Sequence, residues 1–161
     1  MKNLRIEIKW GIIFTIALML WTLLERLFGL HSTHIDKQPV YTLFFIIPAF
    51  VIYYLALVEK RETYYAGQMN WTQGFVSGLV ISIVVSLLSP VSQFITHEFI
   101  SPNYFENAIE YGVSSGQFET HAQAEETFNL VSYIFESMIF AVISGAVTSA
   151  IVAIFTKKKY A

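Results

Sequence analysis

Four stretches of this chain are each long and apolar enough to cross a lipid bilayer, and no other feature constrains its fold as tightly. About 30 Å of hydrocarbon is crossed by about 20 apolar residues in a helix, whereas a strand or loop there leaves backbone polar groups unpaired. The stretches cover about residues 10–30, 40–58, 71–95 and 131–156. Glu25 and Arg26 stand near the far end of the first, the run Glu59, Lys60, Arg61 and Glu62 ends the second, and Lys157, Lys158 and Lys159 stop the fourth. The expected fold is all-α, an up-and-down transmembrane four-helix bundle forming a single domain over residues 1–161.

Composition agrees. Of 161 residues, 55% are hydrophobic and 14% charged, against roughly 25% charged in an average soluble domain. With a net charge of -2 and basic residues confined to short clusters, nothing resembles the continuous cationic face that nucleic acid requires, and no nucleic-acid partner is expected. Cysteine is absent, which removes disulfides, thiolate metal sites and cysteine nucleophiles together. Lys2, Arg5 and Lys9 ahead of an apolar run imitate a signal peptide, but no small-x-small cleavage site follows before Glu25, so the segment reads as a retained first span.

Cytoplasmic loops hold Lys and Arg during insertion. One side collects Lys2, Arg5, Lys9, Lys60, Arg61, Lys157, Lys158 and Lys159, and the other only Arg26 and Lys37. Both termini are therefore expected on the cytoplasmic side of an inner (plasma) membrane. Trp10, Trp71, Tyr53, Tyr54, Tyr64 and Tyr65 would form an aromatic belt at that interface, with Trp21 near the opposite one.

The sizeable extramembrane piece is the external loop 96–129, which carries six acids and no Lys or Arg. Ser101 before Pro102 reads as a helix start, with Tyr104, Phe105, Ala108, Ile109 and Tyr111 on an apolar face. After a break at Ser114, Ser115 and Gly116, Thr120 is placed to cap a second short helix through Ala122, Ala124 and Phe128 into the last span.

Association of helices in lipid depends on close packing of small residues. Gly74, Gly78, Ser82 and Ser86 recur every fourth residue in the third span, as do Ala141, Gly145, Ser149 and Ala153 in the fourth, so these two stripes are expected to touch. Pro48 and Pro90 are expected to kink their spans. Hydroxyls within spans, such as Thr15, Thr22, Ser82, Ser144 and Ser149, usually bond to their own helix or to a neighbour.

Few residues could carry chemistry. His31, His34 and Asp36 form H-x-x-H-x-D, whose histidines share a face if the helix continues, and imidazole with carboxylate suits a zinc-like ion. An interfacial role is the plainer reading, and His97 and His121 stand at no diagnostic spacing. At about 1.5 Å per residue, Glu25, Arg26 and Glu136 reach the same outer level, which predicts a structural ion pair of Arg26 with Glu136 and Glu25 close by. A nucleophile elbow, a P-loop, a dinucleotide turn and paired catalytic carboxylates are all missing from the sequence.

The chain resembles a family of small uncharacterised bacterial membrane proteins known only as a domain of unknown function. The likeness covers nearly the whole chain through Gly29-Leu30-His31, His34-Ile35-Asp36-Lys37, Tyr41-Thr42, Gly74-Phe75-Val76-Ser77-Gly78, Ser101-Pro102-Asn103-Tyr104-Phe105 and Thr148-Ser149-Ala150-Ile151-Val152-Ala153. It implies a four-span inner-membrane protein and no activity, and no site residue is carried over from it.

The leading functional expectation is a non-enzymatic membrane module without a cofactor, which self-assembles or binds a membrane partner in the bilayer. The alternatives are a small transporter or channel component, with a polar path along Ser82, Ser86 and Ser89, and a membrane enzyme with an outer-surface metal site at His31, His34 and Asp36.

Overall fold

The computed structural model describes residues 4–158, so Lys2 and Lys159 of the charge pattern lie outside the described residues. The fold is all-α. Its helices are α1 (Arg5–Leu27), α2 (Gln38–Leu43), α3 (Ile46–Tyr64), α4 (Trp71–Ile95), α5 (Tyr104–Ser114), α6 (His121–Thr127) and α7 (Leu130–Thr156), with a 3-10 turn at Ile35–Lys37 before α2 and a π turn at Thr96–Ile100 after α4. Among the described residues four apolar segments are long enough to cross a membrane: α1, Ile35–Tyr64, Trp71–Ile100 and α7. Two short helices, α5 and α6, precede the last.

Exposed and buried residues reverse the soluble pattern. Leu87, Phe99, Phe140 and Phe155 are among many exposed large apolar side chains, while Ser77, Ser82, Ser86, Ser149 and Thr156 are buried. A water-soluble fold hides its largest apolar groups first, whereas helices in lipid gain from small and hydroxyl residues at their contacts. The chain is a multi-pass membrane protein.

Contacts gather it into two compact units. The first comprises Met1–Ile16, Ile46–Leu88 and Met138–Ala161. Its core is Tyr53, Ala56, Leu57, Met69, Ile81, Val85, Val152 and Ala153. Tyr53, read as an interfacial ring, is instead buried there and meets Phe14 edge to face at 5.7 Å. The two small-residue stripes face one another: a Cβ on Gly74 would lie 3.2 Å from that of Ala153, one on Gly78 would strike Ser149, and one on Gly145 would strike Ser82 and lie 2.7 Å from the Tyr53 hydroxyl. Ala141 packs against the core, and the Ser86 hydroxyl donates to the Met138 carbonyl at 3.0 Å. The hydroxyls of Thr15, Ser82, Ser144 and Ser149 bond to carbonyls of their own helices.

Helix ends in this unit depart from the sequence reading where charges find partners. α1 begins at Arg5 because Glu7 is buried against Lys60 (2.7 Å) and Ser77 (2.7 Å), and Lys9 pairs with Glu59. For the same reason α3 does not stop at the charged run but continues to Tyr64. Pro48 occupies the first turn of α3, where a missing N–H costs nothing, so it starts that helix rather than kinking it. Asn70 and Gln73 cap α4 reciprocally, each side chain accepting from the other's backbone N–H at 2.9 Å. A short antiparallel bridge joins Met69 to Lys158, and Arg61 donates to the Thr156 carbonyl at 2.9 Å.

The second unit comprises Ala17–Phe45 and Ser89–Ser137. Thr120 caps α6, accepting from the Gln123 N–H at 3.3 Å, and the apolar face of α5 buries Tyr104 and Ala108. α6 does not run on into the last span: the chain breaks at Phe128 and Asn129, and Asn129 caps α7 by accepting from the Ser132 N–H at 2.9 Å.

Candidate functional site

The second unit holds a cluster of buried polar groups that begins with the end of α1. The helix stops at Leu27, and Gly29 takes a left-handed φ of 74°. The Leu30 N–H then reaches back to the Glu25 carbonyl and the Gly29 N–H to that of Arg26, both at 3.0 Å. This glycine-centred cap satisfies carbonyls that a helix end otherwise leaves unpaired. It also turns the chain so that His31 folds back beside the Glu25 side chain.

Glu25 and His31 are each 5% exposed. The Glu25 carboxylate accepts from the Trp21 indole (3.0 Å) and the Thr42 hydroxyl (2.6 Å) through Oε1, and its Oε2 lies 3.3 Å from His31 Nε2. On the other side of the ring His31 Nδ1 meets the Ser101 hydroxyl at 2.9 Å, and the Asn107 side chain donates to the His31 carbonyl at 2.8 Å. With Nε2–H directed at the carboxylate, Nδ1 of a neutral ring accepts the Ser101 proton. A buried carboxylate is tolerable only with such a set of donors.

The π turn brings the second histidine. The Ser101 N–H bonds to the Thr96 carbonyl at 2.7 Å, five residues back, and His97 lies inside that turn at 8% exposed. Its Nε2 is 3.1 Å from Gln93 Oε1, while Nδ1 is buried without a hydrogen-bond partner. Aromatic rings enclose it: Phe105 is stacked at 4.1 Å, Tyr104 lies at 5.3 Å and Tyr133 is edge-on at 5.6 Å. Tyr104 Oη donates to Gln38 Oε1 at 3.3 Å and meets Tyr133 Oη at 3.1 Å. Burial pushes the Tyr104 phenol above its usual range, against the lowering effect of its bond to Tyr133. Between these groups is a cavity of about 160 Å³ lined by Glu25, His31, Gln38, Thr42, His97, Tyr104 and Tyr133, among others.

The residues expected to matter are therefore regrouped. His31 joins this cluster, whereas His34 and Asp36 are exposed, because the helix that would have aligned them ends at Leu27. Among the described residues no three His, Asp or Glu side chains are placed to hold a metal ion. Arg26 and Glu136 are both exposed, and neither enters an ion pair among the described residues. Equal depth did not bring them together, and Glu25 turns to His31 instead. Missed by sequence reasoning were His97, Tyr104 and Tyr133, which neither spacing nor motif connects. The signal for the Glu25 and His31 contact was Gly29, a helix-ending residue that stands between them.

Ser101, His31 and Glu25 have the order of a nucleophile, base and orienting acid. The arrangement does not support acyl transfer, however. The Ser101 N–H is spent on Thr96, Pro102 has none, and Ser101 does not line the cavity, so local donors for an oxyanion are missing at the hydroxyl. What the geometry leaves is a set of buried polar groups around a small cavity.

No curated protein and no solved structure matches the chain. A family model, described as Protein of unknown function (DUF4199), matches residues 9–158. Those residues take in every member of the buried cluster and all but the start of α1, and the chain belongs to that family.

Proposed function

We propose that this chain is a non-enzymatic membrane module that binds a small polar solute in the cavity of its second unit. The carrying observation is the burial of Glu25, His31 and His97 around that cavity. Ionisable groups at membrane depth are costly and mark sites of function. A module built only to fill space would be more stable with apolar residues there. Self-association is the weaker reading, since the small-residue stripes suited to it are already used within the chain, Gly74 against Ala153 and Gly78 against Ser149. A transport path along Ser82 and Ser86 finds equally little support, because both hydroxyls are bonded to backbone carbonyls.

The module would sit as one domain in an inner (plasma) membrane of a bacterial cell, with both termini cytoplasmic and the loop before α7 external. The distribution of Lys and Arg supports that orientation.

Trp21 donates to Glu25 and so reports on the cluster. With Trp10 and Trp71 changed to Phe, it is the sole indole. The protein in lipid nanodiscs should show a saturable change of Trp21 emission with one class in a panel of amines, alcohols, amides and carboxylic acids, and lose it in Glu25→Gln. No saturable response to any class at millimolar concentration would sink the reading.

A further inference from the structure

We infer that the solute carries a primary ammonium group, an inference that rests on the binding role proposed above and names its chemistry. Most hydrogen-bond donors on the cavity wall are already committed. The Thr22 hydroxyl bonds to the Leu18 carbonyl, that of Ser92 to the Ser89 carbonyl, that of Thr42 to Glu25, and that of Tyr104 to Gln38. With Tyr104 donating to Gln38, the Tyr133 proton goes to Tyr104. The wall keeps acceptor lone pairs on Glu25 Oε2 and Tyr133 Oη, beside the Gln93 amide N–H groups and the Thr96 hydroxyl, which have no bonded partner among the described residues.

His97 is the second imidazole of the wall. It lines the cavity and is 8% exposed, and its Nδ1 has no partner. With the Nε2 proton directed to Gln93, Nδ1 of a neutral ring can only accept, and it has almost no accessible surface, so Glu25 and Tyr133 supply the acceptors that a solute meets.

Charge and shape agree with a cation. Glu25 is the only Asp, Glu, Lys or Arg on the wall. Its carboxylate accepts from the Trp21 indole and the Thr42 hydroxyl, both neutral donors, and lies beside the His31 ring. Aromatic rings line the same space, and ring faces attract ammonium groups. A cavity of about 160 Å³ holds about five waters at about 30 Å³ each, which suits an amine of a few non-hydrogen atoms, whether free or at the tip of a lipid headgroup.

The test titrates ethylammonium, tetramethylammonium and ethanol into the Trp21 reporter protein in phosphatidylcholine nanodiscs, with calorimetry on the unsubstituted protein as a second readout. Ethylammonium should bind at least tenfold more tightly than either of the others, since one lacks N–H donors and the other lacks charge. Glu25→Gln should weaken it at least tenfold, and Tyr133→Phe severalfold. The same titration in nanodiscs rich in phosphatidylethanolamine separates the sources: loss of the response there assigns the site to the headgroup amine, its retention to a free amine, and each agrees with the proposal. Equal or tighter binding of ethanol or of tetramethylammonium would overturn the primary-ammonium assignment while leaving a binding site. Silence from every solute in phosphatidylcholine, in both readouts, would overturn both.

Discussion

His31 lies against Glu25, with Nε2 3.3 Å from Oε2 and both side chains almost wholly buried, because Gly29 reverses the chain between them. Glu25→Gln and His31→Gln should each destabilise the protein, and the double change should cost less than their sum, with a coupling of about 0.5 to 3 kcal/mol. Thermal unfolding of the four proteins in one detergent measures it, and strict additivity would show the contact to be energetically idle.

Arg26 and Glu136, by contrast, should behave as independent surface residues. Each alanine change is expected to alter stability by no more than about 0.5 kcal/mol, and the pair to add. A coupling comparable with that of Glu25 and His31 would show that the two charges meet after all.

Gly145 and Gly78 have no room for a side chain. Gly145→Leu and Gly78→Leu should cost about 1 to 3 kcal/mol each or more, through forced movement of Ser82, Tyr53 and Ser149. Gly74→Ala should be milder, since its added carbon would lie 3.2 Å from a methyl group. Melting temperatures that rank the other way would contradict the packing.

Glu7 is buried with Lys60 and Ser77 as partners, and its Oε2 has none. Lys60→Met should therefore cost about 3 to 5 kcal/mol by stranding the carboxylate, and adding Glu7→Leu should recover much of the loss. If the double variant is no more stable than Lys60→Met alone, the pair is not the source of the cost.

Orientation is open to a direct chemical test because the chain has no cysteine. Ser114→Cys should react with an impermeant thiol reagent on intact cells, and Thr63→Cys only after permeabilisation. The opposite pattern would invert the proposed topology.

Periodicity and length made the spans legible. The stretch 71–95 coincides with α4, and the last span was placed within a residue of α7. Local chemistry also exposed the break near Gly116 and the Thr120 cap. What sequence hid were the pairings between distant residues: Glu7 with Lys60 lets charge remain helical at the start of α1 and the end of α3, and nothing local announces it. The interruption at Phe44 and Phe45 stands one turn before Pro48, which has no N–H for the Phe44 carbonyl, so a kink expected at the proline is a break ahead of it. The site stayed hidden because H-x-x-H-x-D has meaning only on a continuing helix. Gly29 ended that helix, and His97 came to the cluster through a π turn that composition does not encode.

That π turn, Thr96–Ile100, can be regarded as a phase shifter. One residue more than an α turn requires is accommodated there, and single π turns of this kind recur at functional sites. Removing one residue from the segment would restore α-helical phase and swing everything after it by about 100°, carrying Ser101 away from His31 while leaving the length and apolarity of α4 intact. The chain would still enter the membrane, but the cluster would be out of register with itself.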